Sequence, residues 1–340
     1  MKLVSFEIAT PLGLISRLGA LRGDQIVDLN HAAVYAYTML DFHHCPNPRA
    51  DFFVPSDLVK LLDGGKESMD EAKRVLRELP DDPDPLPGGE RILWRPEEVR
   101  LRAPLNPRSL RDFFAFEDHA KAGAARRGEA MPKEWYDQPV YYKGSTRGIL
   151  GSGDTIPWPA FTRKLDFEFE IAAVVGKPGE DVRFYNAPDF IAGYMVMNDC
   201  SARDIQKNEM VCRMGPAKGK DFATVLGPWF VTADEWPTGE IPPLTVRVNG
   251  EEWSRSNGVQ PYWNFSVMLS HASQGEVLLP GDVLGSGTYF KGCGLDMDRW
   301  IKPGDEIELD AGPLGVLKNK VGAPQGETHL KYNRDGSYAK

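Results

Sequence analysis

One run of ten residues, Pro80 to Gly89 (PDDPDPLPGG), constrains the fold more than any other. Four prolines without amide donors, three aspartates and a Gly-Gly pair can neither sustain a helix nor join a sheet ladder, so an element boundary falls here. Before it, Lys2 to Ile8, Leu14 to Leu21 and Gln25 to Leu29 read as short strands around the Gly23-Asp24 turn. Helical spacing follows from Ala32 to Phe42 and from Asp57 to Leu62. A third helix is predicted from Ser68 to Leu79, with Glu71 completing a capping box.

Beyond the break the pattern turns to strands. Ile171 to Val175 (IAAVV) reads as a buried strand, Asn249-Gly250 within Thr245 to Trp253 is a hairpin signal, and Asn264 to Ser273 is a helix between strands. Pro280-Gly281-Asp282 and Pro303-Gly304-Asp305 each turn the chain into an apolar run. With 34 glycines and 27 prolines, many short elements fit better than a helical bundle. The expected class is α+β and β-rich. A small N-terminal α+β domain spans 1–85, a linker and first strand 86–103, a main domain 104–321 and a polar C-terminal tail 322–340.

The formal net charge of −9 argues against a phosphate backbone as partner, so no nucleic acid is expected. Cys45, Cys200, Cys212 and Cys293 form no CxxC pair, which removes zinc-ribbon and dithiol readings and suits a reducing compartment. Glu7 interrupts any leader-like apolar core, and no run reaches the roughly 18 apolar residues of a membrane span. A cytoplasmic chain without a membrane partner is the expectation.

The chemistry-bearing residues are acidic. Glu168 and Glu170 sit two apart in a strand-like segment, Leu165 to Val175, so alternation puts both carboxylates on one face. An isolated pair of this kind is usually a solvated strand face; a hard cation is the other way to neutralise it. Asn198-Asp199 at the exit of the apolar run Ile191 to Met197 shifts the balance toward a site. Ser201 to Met210 then reads as a helix on which Arg203 and Gln206 share a face and can reach one anion. Asp112 and His119 flank an apolar stretch, and residues 120–134, rich in Ala, Gly, Arg and Lys, have the composition of a mobile lid. Gly215 to Lys220 (GPAKGK) is one residue short of a phosphate loop, and no GxGxxG follows a strand.

Met197 to Lys207 (MNDCSARDIQK) resembles the signature of the fumarylacetoacetate hydrolase family, and Lys164 to Glu170 (KLDFEFE) is similar to that family's metal-binding strand. The resemblance extends over residues 105–321 and implies a rolled mixed β-sheet catalytic domain. It implies four carboxylate ligands at Asp112, Glu168, Glu170 and Asp199, and a catalytic histidine at His119. Arg203, Gln206 and Lys220 match the family's positive and hydrogen-bonding groups, Tyr142 its site tyrosine and Thr288 its substrate-contacting threonine. Arg126 or Arg127 matches a lid arginine. The acid that orients the histidine is normally glutamate and is Asp296 here, one methylene shorter. Two aromatic positions that shape the fumarylacetoacetate pocket are Phe114 and Met210, without hydroxyls, so fumarylacetoacetate itself is not the expected substrate.

The resemblance implies a metal-dependent hydrolase that cleaves a carbon–carbon bond of a small dioxo acid, of acylpyruvate or β-diketone type, in aromatic or amino-acid catabolism. Mg²⁺ is the expected cation, with Mn²⁺ or Ca²⁺ as substitutes, and a homodimer is the expected assembly. A decarboxylase or tautomerase of a 2-oxo acid is the rival on the same fold, since it uses the same enolate without an attacking water. A non-catalytic metal- or ligand-binding protein is the second. The His119–Asp296 pair separates them, because only hydrolysis requires it assembled.

Overall fold

The central strands, Phe169–Val175 and Ile191–Asp199, are apolar on both faces because two cores cover their sheet. Phe169, Ile171, Ala173 and Val175 point into one core, while Ala172 and Val174 point into the other, which is built largely from N-terminal residues. A computed structural model describes all residues except Leu12, 327–329, 336 and 338–340, so part of the predicted tail lies outside the described residues. Among the described residues, twelve strands form one mixed sheet. Its path from one edge is Leu93–Trp94, Gln25–Asp28, Gly13–Arg22, Lys2–Thr10, Thr224–Thr232 and Ile191–Asp199. It continues through Phe169–Val175, Val283–Gly285, Leu110–Phe113 and Tyr141–Gly144. A five-stranded sheet of Glu251–Ser256, Leu244–Val248, Glu306–Asp310, Val316–Pro324 and Thr155–Trp158 completes the β-rich α+β fold. Asn249 and Gly250 join its first hairpin with φ of 53° and 79°, the left-handed pair such a turn requires.

The boundary expected between residues 85 and 104 does not interrupt the main sheet, because Lys2 and Leu3 pair with Val231 and Phe230. The N-terminal strands extend that sheet, and the helices Leu29–Tyr35, Leu58–Asp63 and Gly65–Glu78 cover one face of it. Two local expectations need correction. The helix predicted from Ser68 begins at Gly65, so Ser68 lies inside it and caps nothing; Glu71 instead accepts hydrogen bonds from Tyr37 and Arg74. The helix expected from Ala32 starts at Leu29, since the Asp28 carboxylate accepts the His31 amide at 3.0 Å, and it ends in a π-turn over Ala36–Leu40. No helix among the described residues is long and apolar enough to cross a membrane.

Candidate metal and catalytic centre

Strand parity assembles the acidic cluster. Leu110, Ala172 and Met197 point into the core lined by N-terminal residues, and Asp112, Glu170 and Asp199, each two residues away, emerge on that same face. Their carboxylates lie with one oxygen each within 4.8 Å of one another, and all three residues are buried. Gly285, on the strand between Asp112 and Glu170, leaves the gap they share. A Cβ there would come within 2.8 Å of Asp112 Oδ1 and 3.0 Å of Glu170 Oε2.

Glu168 does not follow the regular alternation expected of it. The strand predicted over Leu165 to Val175 is broken into Leu165–Asp166 and Phe169–Val175. Side chains take over at the break: the Phe167 amide donates to Asp166 Oδ1 at 2.9 Å and the Glu168 amide to Asn198 Oδ1 at 3.1 Å. The Glu168 carboxylate consequently lies outside the three-carboxylate cluster, paired with Arg203 and 3.2 Å from Lys220 Nζ. Burial opposes its charge, yet Arg203 and Lys220 outweigh that and hold its pKa down at about 2.

Lys220 also donates to Asp199, and the Tyr142 hydroxyl donates to the same Asp199 Oδ2 at 2.7 Å. Burial works against the Lys220 charge, but Asp199 and Glu168 more than compensate and raise its pKa. Gln206 accepts from Arg203 at 3.0 Å, so the shared helix face is real, but Arg203 is turned inward onto acids. Thr288 is buried, and its hydroxyl is committed to the Phe169 carbonyl at 3.0 Å.

The balance of charge leaves Asp112 and Glu170 unneutralised. Five buried carboxylates (Asp112, Asp166, Glu168, Glu170, Asp199) face two buried cations, Arg203 and Lys220. Among the described residues, Asp112 Oδ1 and Glu170 Oε1 find no hydrogen-bond partner. Burial, then the neighbouring carboxylate, pushes the pKa of both groups well up. An all-oxygen set with orphaned acceptors and excess negative charge fits a hard divalent cation. Asp112, Glu170 and Asp199 are the residues placed to hold one.

The histidine is assembled with its acid. His119, on the helix Glu117–Arg126, has Nδ1 2.7 Å from Asp296 Oδ2, and Asp296 also accepts from Arg126 and from the Lys291 amide at 3.0 Å. Burial opposes the Asp296 charge, but the His119 hydrogen bond and then Arg126 bring its pKa to about 2. An ionised carboxylate only accepts, so Nδ1 is the ring nitrogen that donates to Asp296, and Nε2 is the one outside that bond. Phe114 stands edge-on to the imidazole, ring centroids 5.4 Å apart. Of the two arginines offered for the lid position, Arg126 reaches Asp296, whereas Arg127 pairs with Glu129. Helical spacing could have found it, since 119 and 126 are two turns apart on one face.

Asp166 is the residue that sequence reasoning missed. Its carboxylate takes Arg203 Nε at 2.8 Å and Nη2 at 2.7 Å, together with the amides of Gly294 and Leu295 at 2.8 and 3.0 Å. It therefore ties Arg203 to the short helix Gly294–Met297 that presents Asp296. Asp166→Ala leaves Arg203 half-neutralised in the core and is expected to cost about 3 kcal/mol, the lower end for breaking a buried pair because Glu168 remains. Urea unfolding of the variant measures this, and a loss under about 1 kcal/mol would refute the role.

The fumarylacetoacetate (FAA) hydrolase C-terminal family profile matches residues 109–322. A fumarylacetoacetase of Arabidopsis thaliana is 32% identical over 293 residues, 70% of this chain and 69% of that protein. An oxaloacetate tautomerase of Bacillus subtilis (strain 168) is 27% identical over 271 residues, covering 79% of this chain and 87% of its own length. Among solved structures, a fumarylacetoacetate hydrolase from psychrophilic Exiguobacterium antarcticum superposes with a TM-score of 0.65 at 24% identity, over 94% of this chain and 99% of that one, a likeness of fold.

Proposed function

This chain belongs to the fumarylacetoacetate hydrolase family, and from that premise we propose that it is a metal-dependent hydrolase cleaving a carbon–carbon bond of a small dioxo acid of acylpyruvate type. The observation that carries the reading is the His119–Asp296 contact at 2.7 Å, an oriented base that hydrolysis needs and enolate chemistry alone does not. Asp112, Glu170 and Asp199 would hold Mg²⁺, which when bound supplies polarisation of a substrate carbonyl and counter-charge for an enolate.

The chain's own residues do the rest. His119 Nε2 takes a proton from water, whose oxygen attacks the acyl carbonyl. The carbon–carbon bond breaks with its electron pair leaving on the pyruvate enolate, which a proton then converts to pyruvate. Asp296, held by Arg126 and the Lys291 amide, keeps the imidazole in the right tautomer and stabilises it once charged. Lys220 adds fixed positive charge beside Asp199.

The relatives named oxaloacetate tautomerases support a second reading, keto–enol interconversion of a 2-oxo acid in the same pocket without attack by water. Product analysis separates the two. After chelation and Mg²⁺ re-addition, an acylpyruvate should yield pyruvate and a carboxylic acid in equal amounts. Enol–keto exchange of oxaloacetate with acylpyruvates left intact would replace hydrolysis by tautomerisation.

A further inference from the structure

The geometry points to a second metal site, distinct from the carboxylate cluster, in which His119, Cys293 and Asp296 bind a thiophilic divalent cation such as Zn²⁺. One ligand-capable atom of each residue lies within 4.8 Å of the other two. Two elements supply them: Glu117–Arg126 carries His119, while Cys293 immediately precedes Gly294–Met297, which carries Asp296. The Cys293 thiol is fully buried, and among the described residues none hydrogen-bonds to it. A polar group enclosed without a partner, beside an imidazole and a carboxylate, is the donor set of a nitrogen–sulfur–oxygen zinc site with a fourth position open.

The two sites differ in the cation they select. Asp112, Glu170 and Asp199 offer only oxygen and suit Mg²⁺, whereas thiolate and imidazole favour softer ions. Other uses of the thiol fit less well. Burial pushes the Cys293 pKa well up despite Arg203, so without metal it stays a neutral thiol, neither nucleophilic nor readily oxidised. On binding, the thiol proton passes to solvent, the metal takes the place of the proton between His119 Nδ1 and Asp296, and that proton moves by way of solvent to Nε2. A cation there removes the general base, so its effect on turnover rests on the hydrolase reading. Its binding does not.

The test is a titration of the Mg²⁺-saturated full chain with Cd²⁺, following the sulfur-to-cadmium charge-transfer band in the ultraviolet. Cys45 and Cys212 are exposed and contribute equally to wild type and to Cys293→Ser, so the difference spectrum isolates Cys293. A saturable difference band at one equivalent is expected, weakened in His119→Ala. In zinc-inhibition assays Cys293→Ser should keep its Mg²⁺-supported turnover in the absence of Zn²⁺ and raise the half-inhibiting Zn²⁺ concentration about 10-fold or more. No difference band, or unchanged zinc inhibition in Cys293→Ser, would overturn the site. Should Cys293→Ser fold poorly, loss of the band in Cys293→Ala serves as the same test. A band without inhibition of hydrolysis would keep the site and defeat the role given to His119.

Discussion

Glu170→Gln is expected to abolish metal-dependent turnover, by about 10³-fold or more, while making the metal-free protein more stable. The two effects share one cause. Asp112, Glu170 and Asp199 are buried together, and two of their oxygens have no partner among the described residues. Replacing the acid by an amide removes the cost of ionising a carboxyl whose pKa burial and Asp112 already raise, a gain of about 1–2 kcal/mol where the pH would otherwise ionise it. The same change removes a ligand, and with it several kcal/mol of charge stabilisation in the transition state. Thermal unfolding with and without Mg²⁺ measures both. Wild type should gain about 2.7 kcal/mol at a Mg²⁺ concentration 100 times its Kd, and the variant should gain almost nothing. A variant less stable than wild type without metal would mean that the Gly287 amide bond to Glu170 Oε2, at 2.9 Å, outweighs the repulsion.

The second large effect is kinetic. His119→Ala should lower acylpyruvate hydrolysis by about 10²–10⁴-fold, the usual worth of a general base. Mg²⁺ affinity should hardly change, because His119 bonds Asp296 and lies outside the carboxylate cluster. Asp296→Asn should fall in the same direction, since an amide can offer its N–H to Nδ1 and favour the wrong tautomer. Steady-state rates at saturating Mg²⁺, with metal affinity measured separately, test the pair. A large loss of Mg²⁺ affinity in His119→Ala would show that the imidazole belongs to the metal centre.

The carboxylates of this centre were named by the family resemblance, and strand alternation was read only for Glu168 and Glu170. In the fold, Asp112, Glu170 and Asp199 each lie two residues from an apolar neighbour on the same face. Glu168 escaped that logic, since Asp166 and Asn198 side chains capture backbone amides and break the ladder beside it. Asp166 was hidden for a related reason: nothing in the run KLDFEFE distinguishes a carboxylate that clamps an arginine and two amides from one exposed to water. Local signals behaved similarly. Asn249-Gly250 turns where its residue types demand positive φ, but Ser68 and Glu71 carry a capping-box spacing inside a helix that had already begun. The N-terminal strands were recognisable one by one. Their pairing with Thr224–Thr232 was not, because no local pattern specifies a partner more than 200 residues away.

The most direct test of the central claim compares two activities in one preparation of His119→Ala, loaded with Mg²⁺: acylpyruvate cleavage and enol–keto exchange of oxaloacetate. Because the His119–Asp296 pair is what makes this centre hydrolytic, cleavage should fall by about 10²–10⁴-fold while any exchange present in wild type survives. Cleavage that persists at the wild-type rate in that preparation would contradict the account.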